Sequence, residues 1–152
     1  ATMDESFPDV MNYVENHYKV AKDKAHRAIC GLSMGGGHSF DISRRFPTKF
    51  DYIGLFSAGL HVSTTGDFRN DFYKQLQGNE EAKAQLATLF KNKPKLYWIG
   101  MGKTDFLYKS SADLRRYFDE KGYKYTYMET EGGHIWRNWR VYLTEFAQKI
   151  FK

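Results

Sequence analysis

The stretch Ala28-Ile29-Cys30-Gly31-Leu32-Ser33-Met34-Gly35-Gly36-Gly37 decides the architecture, because a short apolar run opens onto a serine set between glycines. Gly31-x-Ser33-x-Gly35, behind a strand and ahead of a helix, is the pattern of a turn that lifts a serine hydroxyl clear of a sheet. So sharp a turn leaves no room for side chains two residues before and two after the serine, and Gly31 and Gly35 occupy those places. Ser33 is therefore the candidate nucleophile. The Met34 backbone N–H, at the start of the following helix, points to where an oxyanion would form. In a chain with 13 glycines the pattern alone also fits an ordinary turn, so its weight comes from the order of elements around it.

Upstream, apolar residues at Phe7, Val10, Met11, Val14 and Tyr18 predict an amphipathic helix over Ser6 to Tyr18, with Ser6 and Asp9 as a capping pair. A strand over His26 to Cys30 follows, then a helix from about Gly36 to Phe46 ended by Pro47, then an apolar strand over Tyr52 to Ser57. The polar region Gly59 to Gly78 reads as a long loop or small cap on the functional face and the place for substrate selection. Asn79 caps a helix carrying Ala82, Leu86, Leu89 and Phe90, and the strand Leu96 to Ile99 leads to a helix from about Leu107 to Lys121 closed by Gly122. Tyr123, Tyr125 and Tyr127 alternate with polar neighbours as a half-exposed strand, and a last helix sets Trp136, Trp139, Leu143, Phe146 and Ile150 on one face. Such alternation implies an α/β fold, a parallel sheet covered by helices on both faces.

Bulk composition narrows the classes. At 152 residues, 41% hydrophobic and 17% aromatic, the chain suffices for one compact domain with a real core. The single Cys30 excludes an internal disulfide and a cysteine zinc site, and its place in an apolar strand predicts a small buried thiol. No apolar run approaches the ~20 residues of a membrane span, and the first residues lack a signal-peptide pattern. The formal net charge of +5 is scattered over the chain rather than gathered in a patch, which argues against nucleic acid as a partner.

A serine hydroxyl needs an imidazole to take its proton, and the imidazole needs a carboxylate to fix its tautomer and hold its charge. In a parallel sheet such groups come from loops at the carboxyl ends of strands. Asp105, in Gly102-Lys103-Thr104-Asp105, lies just past the Leu96 to Ile99 strand, and His134, in Glu131-Gly132-Gly133-His134, just past the final strand. Alone, Asp105 reads as a turn or cap residue and His134 as a loop histidine beside Trp136. Together with Ser33 they give the chain order Ser, Asp, His of the α/β-hydrolases. Glu129 falls within the strand and Glu131 stands too near His134 in the chain to reach its ring easily, so Asp105 is the better acid. Gly102-Lys103-Thr104 lacks the glycine five residues earlier that a phosphate loop requires, since Tyr97 stands there. No H-x-x-x-H pair or carboxylate cluster supports a metal, and no cofactor is expected.

Gly31-Leu32-Ser33-Met34-Gly35-Gly36, Gly102 to Asp105 followed by Phe106-Leu107-Tyr108, and Glu131 to His134 with Trp136 and Trp139-Arg140 resemble carbohydrate esterase family 1. That group holds feruloyl esterases, acetyl xylan esterases and esterase D-like enzymes, and the likeness runs from about residue 6 to the C-terminus. It implies that Ser33 is the nucleophile, His134 the base, Asp105 its orienting acid and Met34 an oxyanion-hole donor, with Trp136 as the candidate substrate-binding residue. The expected activity is hydrolysis of feruloyl or acetyl esters on plant cell-wall polysaccharide or oligosaccharide. The alternatives are a general short-acyl carboxylesterase, an acyltransferase, or a non-catalytic carbohydrate-binding relative. Members of the family carry an N-terminal half, with several strands and a second oxyanion donor, that nothing before Ser6 supplies. The chain is thus expected to be the C-terminal half of an α/β-hydrolase, with the absent half or a self-associated copy beside the Cys30 strand. The resemblance also suggests a secreted or periplasmic protein.

Overall fold

The computed structural model describes residues 24–62 and 71–150. Four strands, β1 (Ala28–Leu32), β2 (Tyr52–Phe56), β3 (Leu96–Gly102) and β4 (Thr126–Thr130), pair in parallel in the order β1-β2-β3-β4. The α-helices among the described residues are α1 (Met34–Arg45), α2 (Phe72–Gln77), α3 (Glu80–Lys91), α4 (Tyr108–Lys121) and α5 (Trp136–Lys149). The register sets Leu32 beside Phe56, Phe56 beside Gly100 and Gly102 beside Thr130, so the carboxyl ends of the strands share one rim.

Both faces of the sheet are covered, which is why the continuous apolar run of β2 is buried along its whole length. Ile53, Leu55, Tyr97 and Ile99 pack with Phe40, Leu86, Leu114 and Phe118 from α1, α3 and α4. The opposite face of β2 and β3 presents Tyr52, Phe56 and Trp98 to Tyr142 and Phe146 of α5. Each fully buried large side chain contributes about 1.5–3 kcal/mol. Gly100 makes room for this second cluster, because a Cβ there would stand 2.6 Å from the Trp98 ring and 2.8 Å from that of Tyr142.

Local chemistry sets the helix ends. The Asn79 side chain accepts from the Ala82 amide at 2.9 Å, and Gly122 turns the chain out of α4 at a left-handed φ of 71°. The Tyr123 amide then returns to the Phe118 carbonyl at 2.9 Å, closing the turn.

Several expectations need correction. The region read as a long loop or small cap is not loop throughout: it contains α2, whose Phe72, Tyr73 and Leu76 are buried and whose Asp71 side chain caps the Tyr73 amide at 2.9 Å. A six-residue helix is too short to show a period, and its polar flanks hide it. Residues 63–70 of that loop, and the helix expected over Ser6 to Tyr18, lie outside the described residues. The last strand begins at Thr126, because Tyr123 stacks on Phe90 with ring centroids 4.3 Å apart and Tyr123 and Tyr125 pack against the core before pairing starts. Cys30 is exposed rather than buried: β1 is an edge of the sheet, and α5 packs on β2 and β3 instead of over it.

Candidate active site

Ser33 stands between β1 and α1 with φ 53° and ψ −117°, a backbone shape that costs a non-glycine residue about 1–3 kcal/mol. The surroundings over-determine it. The Ser33 amide donates to the Phe56 carbonyl at 2.9 Å, and the Ser33 carbonyl accepts from Gly37 at 3.2 Å and from Gly59 at 3.1 Å. Although Ser33 is the N-cap of α1, its hydroxyl makes no capping bond and is free for another partner. Met34 opens the helix, so its amide is one of the first-turn donors left without an intrahelical acceptor.

The steric demand of the turn is distributed differently from the sequence expectation. A Cβ on Gly31 would stand 2.3 Å from the Gly35 carbonyl oxygen, but one on Gly35 would meet nothing within 4 Å among the described residues. The helix-side demand falls on the next two glycines. A Cβ on Gly36 would lie 2.7 Å from that of Ala58, and one on Gly37 2.4 Å from the Gly59 carbonyl oxygen.

Three strand ends converge on the Ser33 hydroxyl. His134 Nε2 lies 3.0 Å from Ser33 Oγ, and His134 Nδ1 lies 2.8 Å from Asp105 Oδ2. Asp105 is buried, and its other oxygen accepts from the Leu107 amide at 2.9 Å. A carboxylate only accepts, so Nδ1 carries the imidazole proton and Nε2 offers its lone pair to the Ser33 hydroxyl. Two rings hold the imidazole edge to face, Phe106 and Trp139, each with its centroid 5.0 Å from that of His134.

The competing carboxylates are engaged elsewhere. Glu131 pairs with Lys103 at 2.6 Å, a hydrogen bond that raises the Lys103 ammonium above its ordinary value. Glu129 accepts from the Tyr108 and Tyr127 hydroxyls, each at 2.8 Å, and these bonds hold its carboxyl below the usual range. Tyr127 is pushed up, first by burial and then by its bond to Glu129. Trp136 is exposed and sits edge on to Trp139, with centroids 5.9 Å apart, one ring removed from His134. Among the described residues no group of three His, Cys, Asp or Glu side chains could hold a metal ion, and no helix is long and apolar enough to cross a membrane.

Residues to which the sequence assigns no part in the site support this arrangement. Trp139 Nε1 donates to Ser57 Oγ at 3.3 Å, and Ser57 is itself fully buried at a left-handed φ of 47°. Asn138, buried on α5, donates to the Glu131 and Gly133 carbonyls, each at 3.0 Å. A polar residue one helical turn past His134 was the available signal.

A family model described as "Putative esterase" matches residues 8–150. The chain belongs to this esterase family. An acetyl esterase of Caldicellulosiruptor saccharolyticus is 24% identical over 164 residues, covering 95% of this chain and 61% of the relative. An endo-1,4-beta-xylanase/feruloyl esterase of Xylanibacter ruminicola is 29% identical over 143 residues, covering 91% of this chain and 16% of the relative. Among solved structures, a ferulic acid esterase superposes with a TM-score of 0.73 at 26% identity, covering 93% of this chain and 57% of that one. The chain therefore spans less than two thirds of the length of these relatives. The parallel sheet and its helices are an α/β-hydrolase-like fold that covers part of these larger proteins.

Proposed function

We propose that the chain carries the reacting triad of a serine esterase that removes acyl groups, feruloyl or acetyl, from plant cell-wall polysaccharide. The observation that carries this reading is the single imidazole of His134, bonded through one nitrogen to Ser33 Oγ and through the other to Asp105. Ser33 Oγ attacks the ester carbonyl while His134 Nε2 takes its proton, and Asp105 stabilises the imidazolium. The Met34 amide donates to the oxyanion of the tetrahedral intermediate. Proton return from His134 releases the sugar hydroxyl and leaves Ser33 acylated, and a water activated by the same nitrogen then frees the acid.

The names of the relatives support the ester class, and the pairing of xylanase with feruloyl esterase in one relative's name supports xylan as the carrier of the ester. Trp136 and Phe106, exposed on either side of the His134–Trp139 pair, fit a role in meeting an apolar acyl group or a sugar face. The edge of β1, which among the described residues pairs only with β2 and leaves Cys30 and Leu32 exposed, fits a surface that further strands or a second copy would cover.

The test is covalent labelling with a fluorophosphonate, followed by peptide mapping, alongside hydrolysis of p-nitrophenyl acetate and methyl ferulate. Label on Ser33, lost in Ser33→Ala together with about 10⁶ in kcat, is the expected result. Turnover by Ser33→Ala within tenfold of the parent overturns the assignment.

A further inference from the structure

We propose that Asn138 is a positioning residue for the reaction, fixing how far His134 reaches toward Ser33; this rests on the triad reading above. His134 follows three residues whose carbonyls would otherwise lie loose at the rim of the sheet. Each is tied down. The Glu131 carbonyl accepts from Asn138 Nδ2, the Gly132 carbonyl from the Thr104 amide at 3.0 Å, and the Gly133 carbonyl from both Asn138 Nδ2 and the Ile135 amide. Asn138 thus spends both amide hydrogens on the backbone immediately before the imidazole. The Thr104 bond ties the same segment to the loop that carries Asp105.

The packing leaves the amide no other place. Asn138 is 3% exposed, and its Nδ2 lies within 3.1 Å of where a Cβ on Gly102 would stand. It projects from the first turn of α5, a rigid element anchored by Tyr142 and Phe146 in the core under the sheet. The imidazole is consequently referenced to α5 through Asn138 and to β3 through Thr104, while Ser33 is referenced to β1 and β2 through the Phe56 carbonyl. Removing the amide frees the Glu131 carbonyl and leaves the Gly133 carbonyl held by the Ile135 amide alone, and a reacting atom displaced by about 1 Å can lower the rate by about 10².

Asn138→Ala is compared with the parent, full chain against full chain, at a temperature well below both melting points. The expected result is a fall of about ten- to hundredfold in kcat for p-nitrophenyl acetate and in the rate of Ser33 modification by a fluorophosphonate, with KM changed less than about threefold. The low-field proton resonance of His134 Nδ1–H should shift or broaden in the same variant, which a purely structural role for a correctly placed imidazole would not produce. If Asn138→Ala does not fold, Asn138→Ser, whose short hydroxyl cannot reach both carbonyls, carries the same comparison. A folded variant of lower melting temperature whose kcat and modification rate stay within about twofold of the parent, and whose Nδ1–H resonance is unmoved, overturns the proposal. A parent that fluorophosphonate does not modify overturns the esterase reading instead, and the Nδ1–H comparison then still decides the role of Asn138.

Discussion

Gly102 and Gly132 approach so closely that a Cβ on Gly102 would stand 2.4 Å from the Gly132 carbonyl oxygen. The loop bearing Asp105 and the loop bearing His134 are therefore packed backbone on backbone, with the Thr104 amide bonding the same carbonyl. The segments that carry Asp105 and His134 are held as one unit before either side chain is considered.

Gly102→Ala should break that unit. Backbone cannot yield as a flexible side chain does, so the loops must part, with a loss of about 1–3 kcal/mol typical of overpacking. Denaturant midpoints measure the loss. Activity should fall further than stability explains, because the bond between His134 and Asp105 spans the seam.

The three triad positions should differ in severity. His134→Ala is expected to match Ser33→Ala, near 10⁶ in kcat, whereas Asp105→Asn should be milder, about 10⁴. Glu129→Gln and Glu131→Gln, whose carboxylates serve tyrosines and Lys103, should leave turnover on p-nitrophenyl acetate nearly unchanged. A larger loss for either glutamate than for Asp105→Asn would reassign the acid.

Glu129 gives a pH signature of stability. Its folded carboxyl titrates below the ordinary value near 4.3, so the unfolded chain binds more protons in that window and stability rises with pH. The contribution is complete above the unfolded value and is lost as pH falls through the lowered one. Thermal melts from pH 3 to pH 6 should show a shallower rise in Glu129→Gln than in the parent. Because the carboxylate is solvent-accessible, salt should weaken the effect.

Cys30 should report on the β1 edge of the sheet. Its thiol is exposed, yet partial desolvation against the sheet holds it above its ordinary value, so the reactive thiolate is scarce at neutral pH. Ellman's reagent should react fully but slowly at pH 7 and faster as pH rises past about 8.5. Protection of Cys30 in the native state would show that something covers this edge.

The order of elements was legible because strands, helices and glycines alternate at short range: Ala28 to Gly37 announces its own turn, and Asn79 and Gly122 mark helix ends by chemistry confined to one turn. Ser33, Asp105 and His134 were legible as a set because parallel strands send their carboxyl ends to one rim, whatever the sequence distance. What escaped depended on packing. The helix around Leu76 is decided by burial rather than by period, the vacancy beside Gly35 by where a Cβ would point, and the exposure of Cys30 by which strand lies at the edge. Asn138 reads as one more polar residue on a helix until the carbonyls of the preceding loop are placed beside it.

The left-handed φ of Ser33 sets endurance and chemistry against each other at one position. Glycine adopts that backbone shape without the crowding a Cβ brings, so Ser33→Gly should yield a protein that withstands more heat and does nothing. The gain in melting temperature on replacing it would measure how much durability the fold forgoes to keep a hydroxyl at its apex.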